Sequence, residues 1–167
     1  MRFAAVLTCV LALGTPSCTG GTSPTADGLA VVTDVVDGDT IDVEIGGRSE
    51  RVRLIGIDTP ETRKPNSPVE CYGPEASSFT AALLPAGTEV HLERDVVGRD
   101  DYGRLLAYVF LTDAGGRATT QVNMEIVEQG FARPLTIEPN SIHAREFSAA
   151  ASRAERSGLG LWAACSS

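Results

Sequence analysis

Alternating apolar and polar positions predict five β-strands in this chain of 167 residues. Residues 41–45 alternate in this way directly after an Asp37-Gly38 pair, which is typical of the turn in a β-hairpin. Gly46-Gly47 provides the next turn and leads into the third strand. The last three predicted strands cover 51–54, 88–94 and 105–111.

Apolar residues at spacings of three and four predict three helices. Pro74 marks the first turn of one helix between the third and fourth strands, and Gly130 ends a second. Asn140 is predicted to cap a third helix, which ends before Gly158. Their apolar stripes are Ala76, Phe79 and Leu83; Val122, Ile126 and Val127; and Ala144, Phe147, Ala151 and Ala154. Five strands with a helix after the third are compatible with an OB-fold barrel, hence an α+β, mainly β class.

The first residues of the chain have the composition of an export signal. Arg2 precedes an apolar stretch over 3–13 that is too short to span a bilayer. The segment resembles a bacterial lipoprotein signal in which Cys18 becomes the lipidated first residue of the mature protein. Thr15 departs from the leucine usual in such signals, so secretion without a lipid is the alternative. We therefore predict a signal peptide over 1–17, a linker over 18–27 and a folded domain over 28–165.

Export changes what the four cysteines are expected to do. Cys9 would leave with the signal peptide and Cys18 would carry the lipid. Cys71 and Cys165 then remain as a pair in an oxidising compartment, where disulfides form and persist. We predict a disulfide between these two residues.

Three short motifs combine residues suited to the hydrolysis of a phosphodiester. Asp39 and Asp58 offer hard oxygen ligands of the kind that calcium and magnesium prefer. Arg53 and Arg104 offer forked cationic donors that fit phosphate oxygens. Glu61 is the candidate general base for the attacking water.

These motifs resemble the signature of the staphylococcal nuclease family, which combines an aspartate-bearing turn, an Arg-x-x-x-x-Asp-Thr-Pro-Glu run and a Tyr-Gly-Arg segment. The resemblance implies an OB-fold with three helices, and cleavage within DNA and RNA strands to leave 3′-phosphate ends. It implies calcium binding by Asp39, Asp58 and the backbone carbonyl of Thr59. It also implies that Glu61 activates water, that Arg53 and Arg104 bind phosphate, and that Tyr102 contacts a nucleotide.

The net charge of −8 is unusual for a protein that binds nucleic acid. Asp101 also stands where the family often has a basic residue before its Tyr-Gly-Arg segment. We therefore expect local attraction by two arginines and a cation, and only modest affinity for DNA or RNA.

Two other functional classes remain open from the sequence. One is a noncatalytic OB-fold module that binds nucleic acid, and the other is a lipid-anchored interaction protein of the cell surface. Neither class needs Asp39, Arg53, Asp58, Glu61 and Arg104 together. We therefore favour an exported, calcium-dependent nuclease, either anchored through Cys18 at the outer face of the membrane or secreted.

Overall fold

The computed structural model describes residues 28–62 and 68–165. The predicted signal peptide, the linker and the lipidation site Cys18 therefore lie outside the described residues. The strands are β1 (Leu29–Asp37), β2 (Thr40–Ile45), β3 (Arg48–Leu54), β4 (Gly56–Asp58), β5 (Glu89–Glu93), β6 (Leu105–Thr112), β7 (Ala118–Gln121) and β8 (Arg133–Leu135). The helices are α1 (Gly73–Leu83), α2 (Val122–Glu128), α3 (Ala144–Arg156) and α4 (Leu161–Ala164).

Five of these strands close into a barrel. β1 pairs antiparallel with β2 and β5, β2 pairs with β3, and β5 pairs with β6. A parallel pairing of β3 with β6 closes the ring and sets Arg53 beside Leu106. The predicted α+β OB-fold is confirmed, with its five barrel strands and the three predicted helices.

The barrel interior is filled by residues that the strand alternation predicts to be apolar. In β2, Ile41 and Val43 are completely buried, whereas Glu44 between Val43 and Ile45 is exposed. The other barrel strands contribute further fully buried aliphatic residues, among them Val32, Val52, Leu54, Val90 and Val109. Phe147 of α3 and Ile126 of α2 extend the same core outside the barrel.

The prediction that Asn140 caps the third helix is wrong. α3 begins at Ala144, and the residue at its N-cap position is His143. The Asn140 side chain is instead buried against another loop, where Oδ1 accepts from the Val97 N–H at 2.8 Å and Nδ2 donates to the Val97 carbonyl at 2.9 Å. Two hydrogen bonds to a distant backbone segment outweigh the local capping preference of asparagine.

A sharp change of direction after β3 places the next segment over helix α3. Gly56 has φ +81°, and a Cβ at this position would lie 2.3 Å from Cε2 of Phe147. Glycine is needed here both for its backbone conformation and for the close approach of the ring. β4 can therefore pair with β8, and it ends at Asp58.

Asn123 fixes the turn between β3 and β4 from beneath. Its Nδ2 donates to the Ile55 carbonyl at 2.9 Å, and its Oδ1 accepts from the Val109 N–H at 2.8 Å. Because Asn123 is completely buried, this amide ties α2, the turn and β6 into one unit.

The two cysteines expected to pair lie together. Cys71 and Cys165 form a disulfide with a Cα–Cα separation of 5.8 Å, although 94 positions separate them along the chain. The bond joins the segment before α1 to the residue that follows α4.

Every helix in the described part of the chain is too short or too polar to cross a bilayer.

Candidate active site

The residues singled out by the sequence motifs meet at one end of the barrel. Asp39 lies immediately before β2, Arg53 lies near the end of β3, and Asp58 is the last residue of β4. The β2–β3 register pairs Thr40 with Arg53, which brings Arg53 beside Asp39. The cavity that they share measures about 290 Å³ and is lined by Asp37, Asp39, Thr40, Arg53, Asp58, Thr59, Pro60, Glu61, Glu70 and Arg104.

Arg53 connects the two carboxylates predicted to bind metal. Its Nη1 forms an ion pair with Oδ1 of Asp39, and its Nη2 lies 3.1 Å from Oδ1 of Asp58. Nη2 also donates to the Ile57 carbonyl at 3.2 Å. Burial lowers the pKa of the Arg53 guanidinium, and the nearby Asp58 opposes that shift. The group nevertheless stays charged near neutral pH, because an arginine begins from a very high pKa.

Asp39 is held rigidly in the wall of the cavity. It is only 5% exposed, and its Oδ2 accepts hydrogen bonds from the Thr59 N–H at 2.9 Å and the Thr59 hydroxyl at 3.0 Å. Its Oδ1 accepts from the Thr40 hydroxyl at 3.2 Å. Asp58, by contrast, has a side chain that is 57% exposed. One carboxylate is therefore fixed by the protein, and the other faces solvent.

The donor set of this cavity fits a hard divalent cation. Asp39 and Asp58 bring carboxylate oxygens to the cavity, where both contact the Arg53 guanidinium, and Thr59, which donates a hydrogen bond to Asp39, lines the same cavity. Across residues 28–62 and 68–165, no three His, Cys, Asp or Glu side chains are arranged to hold a metal ion. A cation here would therefore depend on two carboxylates, a backbone oxygen and water, a set that suits calcium or magnesium better than zinc.

Asp37 belongs to the same cavity, although the motifs did not assign it a catalytic or metal-binding role. Its Oδ1 accepts from the Asp39 N–H at 3.2 Å, which stabilises the turn between β1 and β2. Burial raises the pKa of the Asp37 carboxyl, and the negative charge of Glu61 raises it further, against the lowering effects of Thr40 and Arg53. Asp37 therefore lines the cavity and supports the turn that carries Asp39.

The backbone of Glu61 is held on both sides by a residue that the motifs did not identify. Its N–H donates to Oε2 of Glu70 at 3.1 Å, and its carbonyl accepts from the Glu70 N–H at 2.9 Å. Oε1 of Glu61 accepts from the Thr62 N–H at 2.8 Å. Glu70 could not be found from a local pattern, because its role depends on contacts nine positions away.

Arg104 reaches the cavity from the loop before β6. Asp100 orients it: Oδ1 accepts from the Arg104 N–H at 2.9 Å, and Oδ2 accepts from its Nε at 2.7 Å. The second of these contacts fixes the guanidinium through its Nε. Asp100 is a second supporting residue that the sequence motifs missed.

Tyr102 stands beside Arg104 at the mouth of the site. The Arg104 guanidinium carbon lies 5.5 Å from the centre of the Tyr102 ring, and Tyr102 is 87% exposed. The ring also borders a second cavity of about 360 Å³ that shares Arg53 and Arg104 with the first. The apolar walls of this second cavity are formed by Val97, Leu106, Leu135 and Ile137. Its lining also includes the carboxylates of Asp101 and Glu138.

The chain is similar to known nucleases over most of its length. It is 42% identical to a thermonuclease of Staphylococcus intermedius over 132 residues, which cover 79% of this chain and 74% of that protein. It is 40% identical to a thermonuclease of Staphylococcus hyicus, over 77% of this chain and 72% of that relative. Endonuclease YncB of Bacillus subtilis strain 168 is 38% identical over 76% of this chain and 58% of its own length.

The region matched by the family model contains seven of the ten residues that line the cavity. The family model described as staphylococcal nuclease homologue matches residues 51–164, from β3 through α4. This range holds Arg53, Asp58, Glu61 and Arg104, and the alignments to the thermonucleases cover more of the chain than this range does. With its barrel, its motifs and these similarities taken together, the chain belongs to the staphylococcal nuclease family.

Proposed function

We propose that this protein is a calcium-dependent, extracytoplasmic nuclease that hydrolyses phosphodiester bonds within DNA or RNA and leaves 3′-phosphate ends. The observation that carries this proposal is the convergence on one cavity of Asp39, Asp58, Arg53, Glu61 and Arg104. Similarity to two thermonucleases and to an endonuclease supports hydrolytic chemistry.

The residues of the cavity have distinct proposed roles. Asp39, Asp58 and the Thr59 carbonyl would hold calcium, which when bound supplies positive charge to a phosphate oxygen. Arg53 and Arg104 donate hydrogen bonds to the other phosphate oxygens and stabilise the charge that builds on them during attack. Glu61 accepts the proton of the attacking water on its carboxylate. As the water oxygen bonds to phosphorus, the bond from phosphorus to the 5′ oxygen breaks, and the 5′ oxygen leaves as a hydroxyl with a proton from solvent.

Substrate binding is proposed to rely on local contacts rather than on the overall charge. Net charge is −8, so long-range attraction of a polyanion is weak. Arg53 and Arg104 line both cavities, so a phosphate held between them leaves its nucleoside next to Tyr102 and the apolar walls. An exposed tyrosine in this position can stack on a base of DNA or RNA, because every base has a flat face.

The cellular location is also part of the proposal. The composition of residues 1–17 supports export, with Cys18 as a lipid anchor or with full secretion as the alternative. A disulfide between Cys71 and Cys165 is consistent with an oxidising compartment. Mass spectrometry of the mature N-terminal peptide distinguishes a lipidated Cys18 from an unmodified terminus.

The nuclease proposal is tested with single-stranded DNA and RNA incubated with the mature protein in calcium, in magnesium and in chelator. We expect cleavage in calcium, none in chelator, and products that carry 3′-phosphate groups by mass spectrometry. Binding of the oligonucleotides without cleavage in any divalent metal would favour the noncatalytic module. Neither binding nor cleavage would favour a surface interaction protein.

A further inference from the structure

We propose that Glu70 and the Cys71–Cys165 disulfide position Glu61, so that a covalent bond just before α1 controls the turnover of the site. This inference rests on the proposed nuclease function. Glu70 and the disulfide are positioning elements here, and Glu61 is the catalytic residue that they orient.

The first step is the contact between Glu70 and the backbone of Glu61. Glu70 forms hydrogen bonds with both backbone polar groups of Glu61. Oε2 of Glu70 accepts from the Glu61 N–H at 3.1 Å, and the Glu70 N–H donates to the Glu61 carbonyl at 2.9 Å. Since the two contacts enclose the Cα of Glu61, they restrict the backbone from which its carboxylate projects. A displacement of about 1 Å in a reacting group is enough to slow turnover severely.

The second step is the covalent link that directly follows Glu70. Cys71 is bonded to Cys165, whose N–H donates to the Leu161 carbonyl at 2.9 Å at the end of α4. Leu161 is 1% exposed, and its N–H donates to the Gly130 carbonyl at 2.8 Å. The disulfide therefore connects the segment that holds Glu61 to the packed junction of α2 and α4.

The third step is the weak packing of the segment itself. Val69 is 59% exposed, and Glu70 and Cys71 are also exposed. Among the described residues, the hydrophobic core contains neither cysteine. An exposed segment with little buried apolar surface opens locally at low cost, so a covalent anchor has a large effect on its position.

Helix α1 adds a contact that makes this arrangement specific to Glu61. Gly73 lies so close to the motif that a Cβ there would be 3.0 Å from the Pro60 carbonyl oxygen and 3.1 Å from the Glu61 carbonyl oxygen. Its N–H donates to the Glu70 carbonyl at 3.1 Å. The start of α1 therefore also packs closely against the Pro60–Glu61 backbone.

The phosphate-binding arginines are held by different elements. Arg53 lies on β3 and Arg104 immediately before β6, and these two strands pair directly with each other in the barrel. Loss of the Glu70 contact or of the disulfide should therefore leave substrate binding nearly intact. The expected signature is a fall in kcat with little change in KM, because only the step that uses Glu61 is impaired.

The test compares Glu70→Ala, Glu70→Gln and the double variant Cys71→Ser/Cys165→Ser with wild type. Glu75→Ala is the matched control, since Glu75 is an exposed carboxylate in the first turn of α1. Cleavage of single-stranded DNA in calcium gives kcat and KM at a temperature where circular dichroism shows each protein folded. Hydrogen exchange at the Glu61 amide, without metal or substrate, gives a readout independent of activity.

We expect Glu70→Ala and the double serine variant to lose kcat by about tenfold or more while KM stays within about twofold. Glu70→Gln should retain kcat, because its amide oxygen also accepts the Glu61 N–H. The Glu61 amide should exchange faster in the two impaired variants only, and Glu75→Ala should match wild type in every measurement.

Two results would overturn the inference. A folded double serine variant with wild-type kcat would show that the disulfide does not position Glu61. Equal losses in Glu70→Gln and Glu70→Ala would show that Glu70 acts through its charge. If the double variant does not fold, the comparison of Glu70→Ala with Glu70→Gln, in kcat and in hydrogen exchange at the Glu61 amide, decides whether Glu61 is positioned in this way. Absence of cleavage by wild type would refute the proposed function, while hydrogen exchange would still test the positioning.

Discussion

At the scale of single residues, Arg53 is the connection on which the site depends. One guanidinium contacts Asp39, Asp58 and the Ile57 carbonyl at once. A lysine has a single compact ammonium group and cannot reproduce these contacts or a bidentate hydrogen bond to phosphate. We expect Arg53→Lys to reduce kcat/KM by about a hundredfold or more, measured on single-stranded DNA in calcium.

The control for this substitution lies on the same strand. Arg48 is exposed at the start of β3, away from the cavity, so Arg48→Lys should cleave at the wild-type rate. Equal activity of Arg53→Lys and wild type would show that the bidentate geometry of Arg53 is not used in turnover.

A second residue-scale prediction concerns acid stability. Asp95 accepts hydrogen bonds from the Val96 N–H at 2.9 Å, the Ile142 N–H at 3.0 Å and the Tyr108 hydroxyl at 3.1 Å. Burial alone would raise the pKa of the Asp95 carboxyl, but these donors together lower it below its ordinary value. The stabilisation that ionised Asp95 gives to the folded protein is therefore complete above the unfolded pKa of about 3.9. It is lost as the pH falls through the lower pKa that Asp95 has in the folded protein.

Asp95→Asn should consequently destabilise the protein by about 1–2 kcal/mol near neutral pH, since charge-assisted hydrogen bonds become neutral ones. Its deficit relative to wild type should shrink as the pH falls through the folded pKa of Asp95. Urea unfolding at several pH values measures both, with the exposed Asp34→Asn as the control. A deficit that is constant with pH would contradict this account.

The motifs identify the residues that we propose to carry the chemistry, but they do not predict which residues support them. Asp39, Arg53, Asp58, Glu61 and Arg104 occur in short runs whose order is readable along the chain, and the structure gathers them in one cavity. Asp100 and Glu70 orient neighbouring residues through tertiary contacts, and such contacts produce no periodic or compositional pattern in the sequence. Which common residue becomes a support is decided by tertiary contacts, as with the buried amide of Asn140.

At the scale of elements, Gly130 controls how the C-terminal helices dock. It follows α2 with φ +76°, and a Cβ there would lie 2.4 Å from the Leu159 carbonyl oxygen. We expect Gly130→Ala to lower the free energy of unfolding by about 2–4 kcal/mol, because backbone strain and overpacking add. Thermal or urea unfolding measures this loss.

Gly87 gives a matched comparison for that substitution. It also has a positive φ, +92°, but a Cβ there would have no atom within 4 Å. Gly87→Ala should therefore cost only about 1–2 kcal/mol, the strain contribution alone. Equal costs at the two positions would show that the contact with the α4 segment is not tight.

Elements with a repeated pattern could be predicted, and very short ones could not. β2 is readable because six residues alternate cleanly, and α3 because its apolar residues recur at helical spacing. β4 and β8 contain three residues each, which is too few to show a period. Their pairing instead depends on Gly56 turning the chain over Phe147, a contact between distant parts of the sequence.

At the scale of the whole molecule, the long-range closures lie beyond any local pattern. The parallel β3–β6 pairing that completes the barrel joins segments about fifty residues apart. The disulfide, by contrast, could be predicted, because the proposed export would leave Cys71 and Cys165 as the two cysteines able to pair. Loop closure over 94 positions gives this bond a large effect on the unfolded chain.

We therefore expect Cys71→Ser/Cys165→Ser to lower the free energy of unfolding by about 4–5 kcal/mol in the chain-entropy account of disulfides. Urea unfolding of wild type and of the double variant measures the difference. The barrel should still form, since its core does not include either cysteine. Equal unfolding midpoints and slopes would contradict the prediction.

The measurement that tests the account most directly is the rate of calcium-dependent cleavage of single-stranded DNA by Glu61→Gln beside wild type. Glu75→Gln, an exposed carboxylate of α1, is the control. If Glu61 takes the proton of the attacking water, the amide variant should be slower by about 10²–10⁴-fold while the control keeps the wild-type rate. Undiminished cleavage by Glu61→Gln would place the chemistry elsewhere.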